Sequence, residues 1–396
     1  MTVLLAATLL LAAVVFFLLA AHPFVTYPAS LRLLARRRPR PIQRSTPRGT
    51  AALCLCAYNE ESVIVAKVTN MLAMREAVPD LEILVYVDAA TDGTAALLQD
   101  YANQIRLVVS PERLGKTHGM NTLVRLTRAD YLVFSDANVT FAADALPRLL
   151  APFGDPEVGA VCGHLQYAAE NGSATAATGL RYWRLEEEIK ALESATGSVM
   201  GADGSIFAIR RSLHCPPPAD LIDDMYVSLM VLCQGARVVR ASDAMAFEEA
   251  VSRPAEEFRR KVRIACQAFN VHRTLRPRLR QLGAVDRYKY VSHKLLRWLT
   301  VYLLAASALC LFAGLAAAGA GWLWAILLAL SAVGAALIWQ ARRGPLASLR
   351  DILGAFLATG IGVWRSLRGD RFQTWSPPAS ARLSSTMMLP GAGPAN

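Results

Sequence analysis

Apolar residues fall along this chain in two patterns: long unbroken runs, and short blocks cut by polar clusters. Residues 3–21 form a run without a charge, long enough to cross the apolar core of a bilayer. Residues 299–339 form a second uncharged run. At about 1.5 Å rise per residue it is roughly twice the length of one span. Gly319, Ala320 and Gly321 stand at its middle, so the pattern predicts two helices joined by a tight turn. A third run, 352–364, has 13 residues between Asp351 and Arg365. That is short for a span, and Arg350, Arg368 and Arg371 add charge on both sides. An interfacial or re-entrant helix is expected there.

The short blocks lie between about 50 and 245. Residues 51–57, 81–87, 105–110 and 131–135 read as buried strands. Residues 59–74, with Val63, Ala66, Val68 and Leu72 at helical spacing, and residues 94–101 and 116–127 read as helices. Such alternation predicts a parallel α/β sheet with helices on both faces. Ligands of these sheets bind at the carboxyl ends of the strands. Following the four strands are AYNEE (57–61), DAATDGT (88–94), RLGKTHGMN (113–121) and SDAN (135–138). Carboxylates, amides and one lysine thus converge on one edge. They are acceptors for a base and ribose, a cation for phosphate, and oxygen ligands for a divalent metal.

Composition fits a mixed chain: 396 residues, 54% hydrophobic, 18% charged. That is too apolar for an ordinary soluble protein and too charged for a pure membrane bundle. The net charge of +11 gathers beside the apolar runs, where it would meet anionic lipid headgroups rather than nucleic acid. No Lys or Arg precedes run 3–21, so it lacks the basic start of a secretory signal. Arg32, Arg36, Arg37, Arg38, Arg40 and Arg44 follow it, and Arg342, Arg343 and Arg350 follow the second run. Basic residues stay in the cytoplasm, so the central domain is expected in the cytosol and the protein in a bacterial inner membrane. The seven cysteines include no CxxC pair and read as reduced thiols.

The ordered motifs make the chain resemble the family-two glycosyltransferases, the group of cellulose, chitin and hyaluronan synthases. GADGSIFAIRR (201–211), LIDDMYVSL (221–229), EEFRRKVRI (256–264) and GDRFQTWSPPASAR (369–382) continue the series. The resemblance implies a GT-A (Rossmann-like) nucleotide-sugar domain with transmembrane and interfacial helices. The expected layout is a membrane helix over 1–24, the catalytic domain over 45–250 and amphipathic helices over 251–294. Two membrane helices over 295–341 and an interfacial or re-entrant helix with its tail over 345–396 complete it.

The resemblance also implies roles. Ala57, Asn59 and Glu60 line the nucleoside pocket, Asp88 accepts from the base, and Lys116 lies near the base or phosphate. Asp136 and Asn138 form the DxD-type site for Mg²⁺ or Mn²⁺. Gly201, Asp203 and Gly204 lie on the acceptor side. Asp224 is the general base with Asp223 beside it, and Arg263 meets the diphosphate or the membrane interface. A UDP-sugar donor and a glycan or lipid acceptor are implied, with export of a polymer needing an oligomer or a partner. Two positions depart from the pattern. Asn138 replaces an Asp, which weakens metal binding, and RRKVRI lacks the Gln and Trp of QxxRW, a motif of processive enzymes. Transfer of a single sugar to a polyprenyl-phosphate or other lipid gains ground accordingly. A non-catalytic nucleotide-binding membrane protein is the rival from another class.

Plainer roles exist for the same residues. Asp88 and Asp92 suit a helix cap. One of Asp223 and Asp224 suits a helix start, and Lys116 suits a solvated surface. Tyr182 and Trp183 suit core packing or stacking on a sugar. His118, His164, His214 and His293 lack metal-ligand spacing.

Overall fold

In the computed structural model, which describes residues 2–168, 174–249, 254–341 and 344–374, the short blocks build one eight-stranded sheet. Its strands are β1 (Ala51–Ala57), β2 (Glu82–Asp88), β3 (Arg106–Ser110), β4 (Tyr131–Ser135), β5 (Val139–Phe141), β6 (Val158–Ala168), β7 (Ile206–Arg210) and β8 (Arg237–Glu249). The order is β3-β2-β1-β4-β7-β6-β8-β5. The sequence pattern anticipates the parallel half, β3 to β4. It misses that the rest is mixed: β7 runs antiparallel to both β4 and β6, and β5 antiparallel to β8.

The helices are α1 (Thr2–Ala21), α2 (Thr26–Arg37), α3 (Ile64–Ala73), α4 (Thr94–Gln99), α5 (Lys116–Leu126), α6 (Ala145–Leu150) and α7 (Ala174–Ala195). They continue as α8 (Asp223–Cys233), α9 (Pro254–Leu279), α10 (Ala284–Tyr290), α11 (Leu296–Ala317), α12 (Gly321–Gln340) and α13 (Pro345–Leu367). Period-two alternation puts the two sides of each central strand into two cores. Leu53, Leu55, Ile83, Val85 and Val133 pack beneath α3 and α6. Cys54, Leu84, Leu132 and Phe134 pack with Met120 and Leu123 of α5 and Phe269 of α9.

Helix α3 starts later than its pattern suggests, because residues before it form a turn with Asn59 at φ 52°. Its buried stripe is Ile64, Lys67, Val68 and Met71, which corrects the phase read from Val63, Ala66 and Leu72.

Among the described residues, four helices are long and apolar enough to cross a membrane: α1, the run 284–317, α12 and α13. Helix α1 lies along α11, where Ser307 Oγ donates to Ala13 O at 2.8 Å. Helices α11 and α12 are joined at 318–320, with Gly319 at φ 74°. Two boundaries differ from expectation. Residues 284–317 form one continuous helical run through a single π-turn at 291–295, so no break separates an interfacial helix from a span near 294. Helix α13 has 23 residues, not 13. Pro345 starts it, and Arg350 and Asp351 lie inside it, paired at 3.3 Å, so the charges do not end it. Arg342, Arg343 and the tail 375–396 lie outside the described residues, as do the side chains of Tyr182 and Trp183.

Candidate active site

The carboxyl ends of β1, β2 and β4 form a shelf whose polar side chains bind one another. Asn59 Oδ1 accepts from Thr91 N at 2.8 Å and its Nδ2 donates to Thr91 Oγ1 at 3.1 Å. Glu61 Oε2 accepts from Gly93 N at 2.9 Å, and Asp92 Oδ2 from Glu61 N at 3.1 Å. Asp92 Oδ1 accepts from Thr94 N at 3.0 Å, so its capping role is real. Ala57 and Glu60 are buried at the root of this shelf, where Glu60 N donates to Thr94 Oγ1 at 2.8 Å. Asp88, 3% exposed, accepts from Leu114 N at 2.8 Å and from Gly115 N at 2.9 Å. Its carboxylate therefore fixes the loop that delivers Lys116. The chain after α13 braces the same loop: Gln373 Nε2 donates to Leu114 O at 2.9 Å, and Gln267 Nε2 of α9 donates to Phe372 O at 2.8 Å.

Lys116 leaves this shelf for the second half of the sheet. Its Nζ lies 2.7 Å from Asp136 Oδ1 and 3.7 Å from Asp223 Oδ2. Burial works to lower its pKa, but Asp136, Asp223 and Asp224 outweigh that and hold it well above the ordinary lysine value. Asp223 and Asp224 open α8. Asp223 Oδ2 is buried and has no hydrogen-bond partner among the described residues. Burial, with the Asp223 charge beside it, pushes the Asp224 carboxyl up to about 7. Its Oδ1 accepts from Met225 N at 2.5 Å. Its Oδ2 stands only 2.8 Å from where a Cβ on Gly204 would lie, and Lys116 Nζ stands 3.5 Å from that point. Any side chain at 204 would displace the carboxylate, so the glycine is what lets the segment 201–204 approach Asp224.

Asp203 is held by Lys190 of α7 at 3.6 Å. Arg263 donates to Gln267 Oε1 at 3.1 Å. Burial and neighbouring Arg260 bring its pKa down to about 10 against the pull of Asp136 and Asp224. The Arg263 guanidinium is thus close enough to Asp136 and Asp224 to feel both charges. The structure brings Lys116, Asp136, Asp203, Gly204, Asp223, Asp224 and Arg263 together around one centre, with Asn59 and Asp88 along the neighbouring shelf.

Two residues absent from the sequence reading belong here. Asn138 Nδ2 donates to Glu248 Oε1 at 3.0 Å. Burial, and then Asp136, push the Glu248 carboxyl up to about 7. A signal existed: Ala244, Ala246 and Glu248 share one face of β8, and the first two are fully buried. Lys67, 2% exposed, sits behind the same loop and donates to Ser135 Oγ at 2.7 Å and Val139 O at 2.6 Å. Its signal was a lysine on the buried stripe of α3.

The donor set suits a hard divalent cation. Asp136 offers a carboxylate, and Asn138, its amide nitrogen anchored on Glu248, offers a carbonyl oxygen. Among the described residues no three His, Cys, Asp or Glu side chains form a metal cage. One or two protein oxygens completed by substrate phosphates is the usual Mg²⁺ arrangement.

Residues 52–215 match the family described as Glycosyl transferase family 2. This stretch, less than half of the chain, is thus similar to a family-two glycosyltransferase domain. The chain is 27% identical over 250 residues to an N-acetylglucosaminyltransferase of Rhizobium sp. (strain N33), covering 58% of this chain and 54% of that protein. It is 22% identical over 161 residues to a poly-beta-1,6-N-acetyl-D-glucosamine synthase of Staphylococcus epidermidis, covering 40% of this chain and 39% of that one. The chain spans about half the length of the N-acetylglucosaminyltransferases it matches. Mannosyltransferase PcManGT from Pyrobaculum calidifontis, solved with GDP-Man and Mn²⁺, superposes with a TM-score of 0.69 at 22% identity. The match covers 91% of this chain and 99% of that one and establishes the GT-A fold of the transferase domain together with its helical frame.

Proposed function

We propose that this chain is an inverting, membrane-bound glycosyltransferase. It moves a hexose or N-acetylhexosamine from a UDP-sugar to a polysaccharide or glycolipid acceptor at the cytoplasmic face of the membrane. The observation that carries this reading is the placement of Asp224. Its carboxyl is raised into the working range of a general base. It lies against the glycine of the acceptor-side segment and next to the Lys116–Asp136 pair.

Asp224 takes the proton of the acceptor hydroxyl, which attacks the sugar carbon opposite the leaving diphosphate. A single displacement of this kind inverts the anomeric centre, and no covalent nucleophile is needed. Asp136 and Asn138 would hold Mg²⁺ or Mn²⁺, which supplies charge neutralisation for the leaving group. Lys116 passes from Asp136 toward the diphosphate, and Arg263 adds a second cation from α9. Asn59, Glu60 and Asp88 keep the nucleoside shelf in shape. Four apolar helices and the synthase relative support membrane placement. Transfer of one sugar to a lipid-linked acceptor is the variant favoured by the missing Gln and Trp around Arg263.

The test is nucleotide release by the detergent-purified chain, offered UDP-sugars and GDP-mannose with Mn²⁺ or Mg²⁺. Metal-dependent release of UDP from one donor is expected. Nucleotide binding without release from any donor, across neutral and lipid-linked acceptors, would replace the enzyme with a nucleotide-binding membrane protein.

A further inference from the structure

A second charged cluster lies where α7 meets the helix 284–317, on the membrane side of the acceptor segment. The π-turn at 291–295 inserts one extra residue per turn there, a feature common at functional sites. Nearly every charge in the cluster has a partner. His293 Nδ1 lies 2.8 Å from Glu193 Oε1, and its Nε2 lies 3.0 Å from Glu186 Oε1. Arg297 pairs with Glu186, and Arg240 with Glu187. Lys190 lies 3.2 Å from Glu187 and 3.6 Å from Asp203. Lys289 donates to the carbonyls of Glu193 and Ser198 at 3.0 and 3.3 Å. Lys294 differs. Among the described residues it makes no hydrogen bond and no ion pair, although it is only partly exposed.

Its position is specific. Lys294 Cε lies 3.6 Å, and Nζ 3.9 Å, from where a Cβ on Gly201 would stand. Gly201 has φ +116° and carries no side chain, so nothing at that position screens the ammonium from the acceptor segment. At the other end of the segment, Gly204 touches Asp224. The ammonium and the base therefore flank the two ends of a four-residue segment, whose end glycines are at most about 11 Å apart along the chain. The residues after Lys294 lead into the apolar part of α11, so with α11 in a bilayer its amine would stand near the lipid phosphates.

We infer that Lys294 seats a phosphate carried by the acceptor, so that the acceptor is a short glycan joined to a lipid through a phosphate or diphosphate. The inference rests on the proposed transferase reading and on Asp224 as the end that meets the hydroxyl. A neutral glycan would leave the amine without a close anionic contact. The donor's own diphosphate is already provided for by Lys116 and the Asp136 site. Glu186 and Glu193 attract the ammonium, but each is bonded to Arg297 or His293 and neither forms an ion pair with Lys294. A phosphate would receive charge-assisted hydrogen bonds from it.

The experiment compares two acceptors with the same glycan, one on a polyprenyl diphosphate and one on a neutral alkyl chain, using the full chain in nanodiscs. For Lys294→Gln, the ratio of kcat/KM for the diphosphate acceptor over the neutral one should fall about tenfold or more. Lys294→Arg should restore most of it. Retention of sugar-free polyprenyl diphosphate, followed by native mass spectrometry, should fall in the same variant. This arm needs no turnover, so it decides the phosphate seat even if the transferase reading fails. An unchanged ratio with unchanged retention would overturn the inference. So would a loss that appears only with anionic nanodisc lipids and vanishes in zwitterionic ones, which would give Lys294 to bulk headgroups.

Discussion

The two halves of the sheet treat their polar residues in opposite ways. Along β3, β2 and β1 nearly every polar side chain after a strand is spent on a neighbour: Asn59 on Thr91, Glu61 on Gly93, Asp88 on Leu114 and Gly115. Across β4, β7, β6 and β8 the carboxyls crowd instead. Among the described residues Asp223 keeps a buried oxygen without a hydrogen bond, and burial and neighbouring carboxylates push Asp224 and Glu248 both up to about 7. Satisfied networks make a rigid cradle. Crowded, desolvated carboxyls make groups poised to exchange protons or meet a cation. The first half fits holding a nucleoside, and the second fits chemistry.

The sharpest way to break this contrast is to remove one carboxylate from each half. Asp224→Asn should lower kcat by about 10²–10⁴ while UDP affinity stays within the wild-type range. It should leave the melting temperature at pH 8 equal or higher. The sign follows from the raised pKa: the native state holds its proton up to about 7, whereas an unfolded Asp loses it near its ordinary value of 3.8. Stability therefore falls as pH rises between those values, and the ionised buried carboxylate is a cost above them. Asn removes that cost and keeps an acceptor for Met225 N. Asp88→Asn should do the reverse. It weakens bonds to two backbone N–H groups and should cost about 1–3 kcal/mol of stability and raise the donor KM. Equal stability losses from both substitutions, measured by thermal unfolding, would dissolve the distinction.

A smaller effect should appear in the wild-type pH profile. Since Asp224 must be ionised to accept a proton, kcat/KM should fall about tenfold per unit below about pH 7. The limb should disappear from the residual activity of Asp224→Asn. A limb that breaks near 4 instead would mean that the carboxyl is not desolvated when the enzyme works.

The same contrast explains what the sequence made legible. The parallel half is built from consecutive strand–turn–helix units, so each site residue sits a few positions from the strand that presents it. Local pattern finds such residues. The mixed half joins residues far apart in the chain: Asn138 with Glu248, Lys116 with Asp223, Lys190 with Asp203. Nothing local in MAFEE announces that β8 lies beside β5 and lends it a carboxylate. Family resemblance reached Asp224 and Gly204, because their motifs are local, but not Glu248 or Lys67, because their roles depend on pairing. Helix α13 was misjudged for a related reason. The neighbouring Arg350 and Asp351 pair with each other inside the helix, so charges that look like ends in the sequence do not end it in the fold.

The finest test concerns Asn138 itself, the position that departs from the usual aspartate. Its amide nitrogen donates to Glu248, and that carboxyl already feels Asp136. A second carboxylate at 138 would lose the hydrogen bond and face two negative neighbours. Asn138→Asp alone should therefore gain no Mn²⁺ affinity, although a carboxylate is ordinarily the better ligand. Glu248→Gln alone should weaken Mn²⁺ binding modestly, since it removes a charge and loosens the anchor of Asn138. Together the two changes should bind Mn²⁺ more tightly than the wild type, with a coupling of about 1 kcal/mol in a double-mutant cycle. Mn²⁺ titration followed by electron paramagnetic resonance reads this without any turnover. Additivity within about 0.5 kcal/mol would mean that 138 and 248 act independently. The crowded half of the sheet would then lack the coupling that sets it apart from the satisfied half.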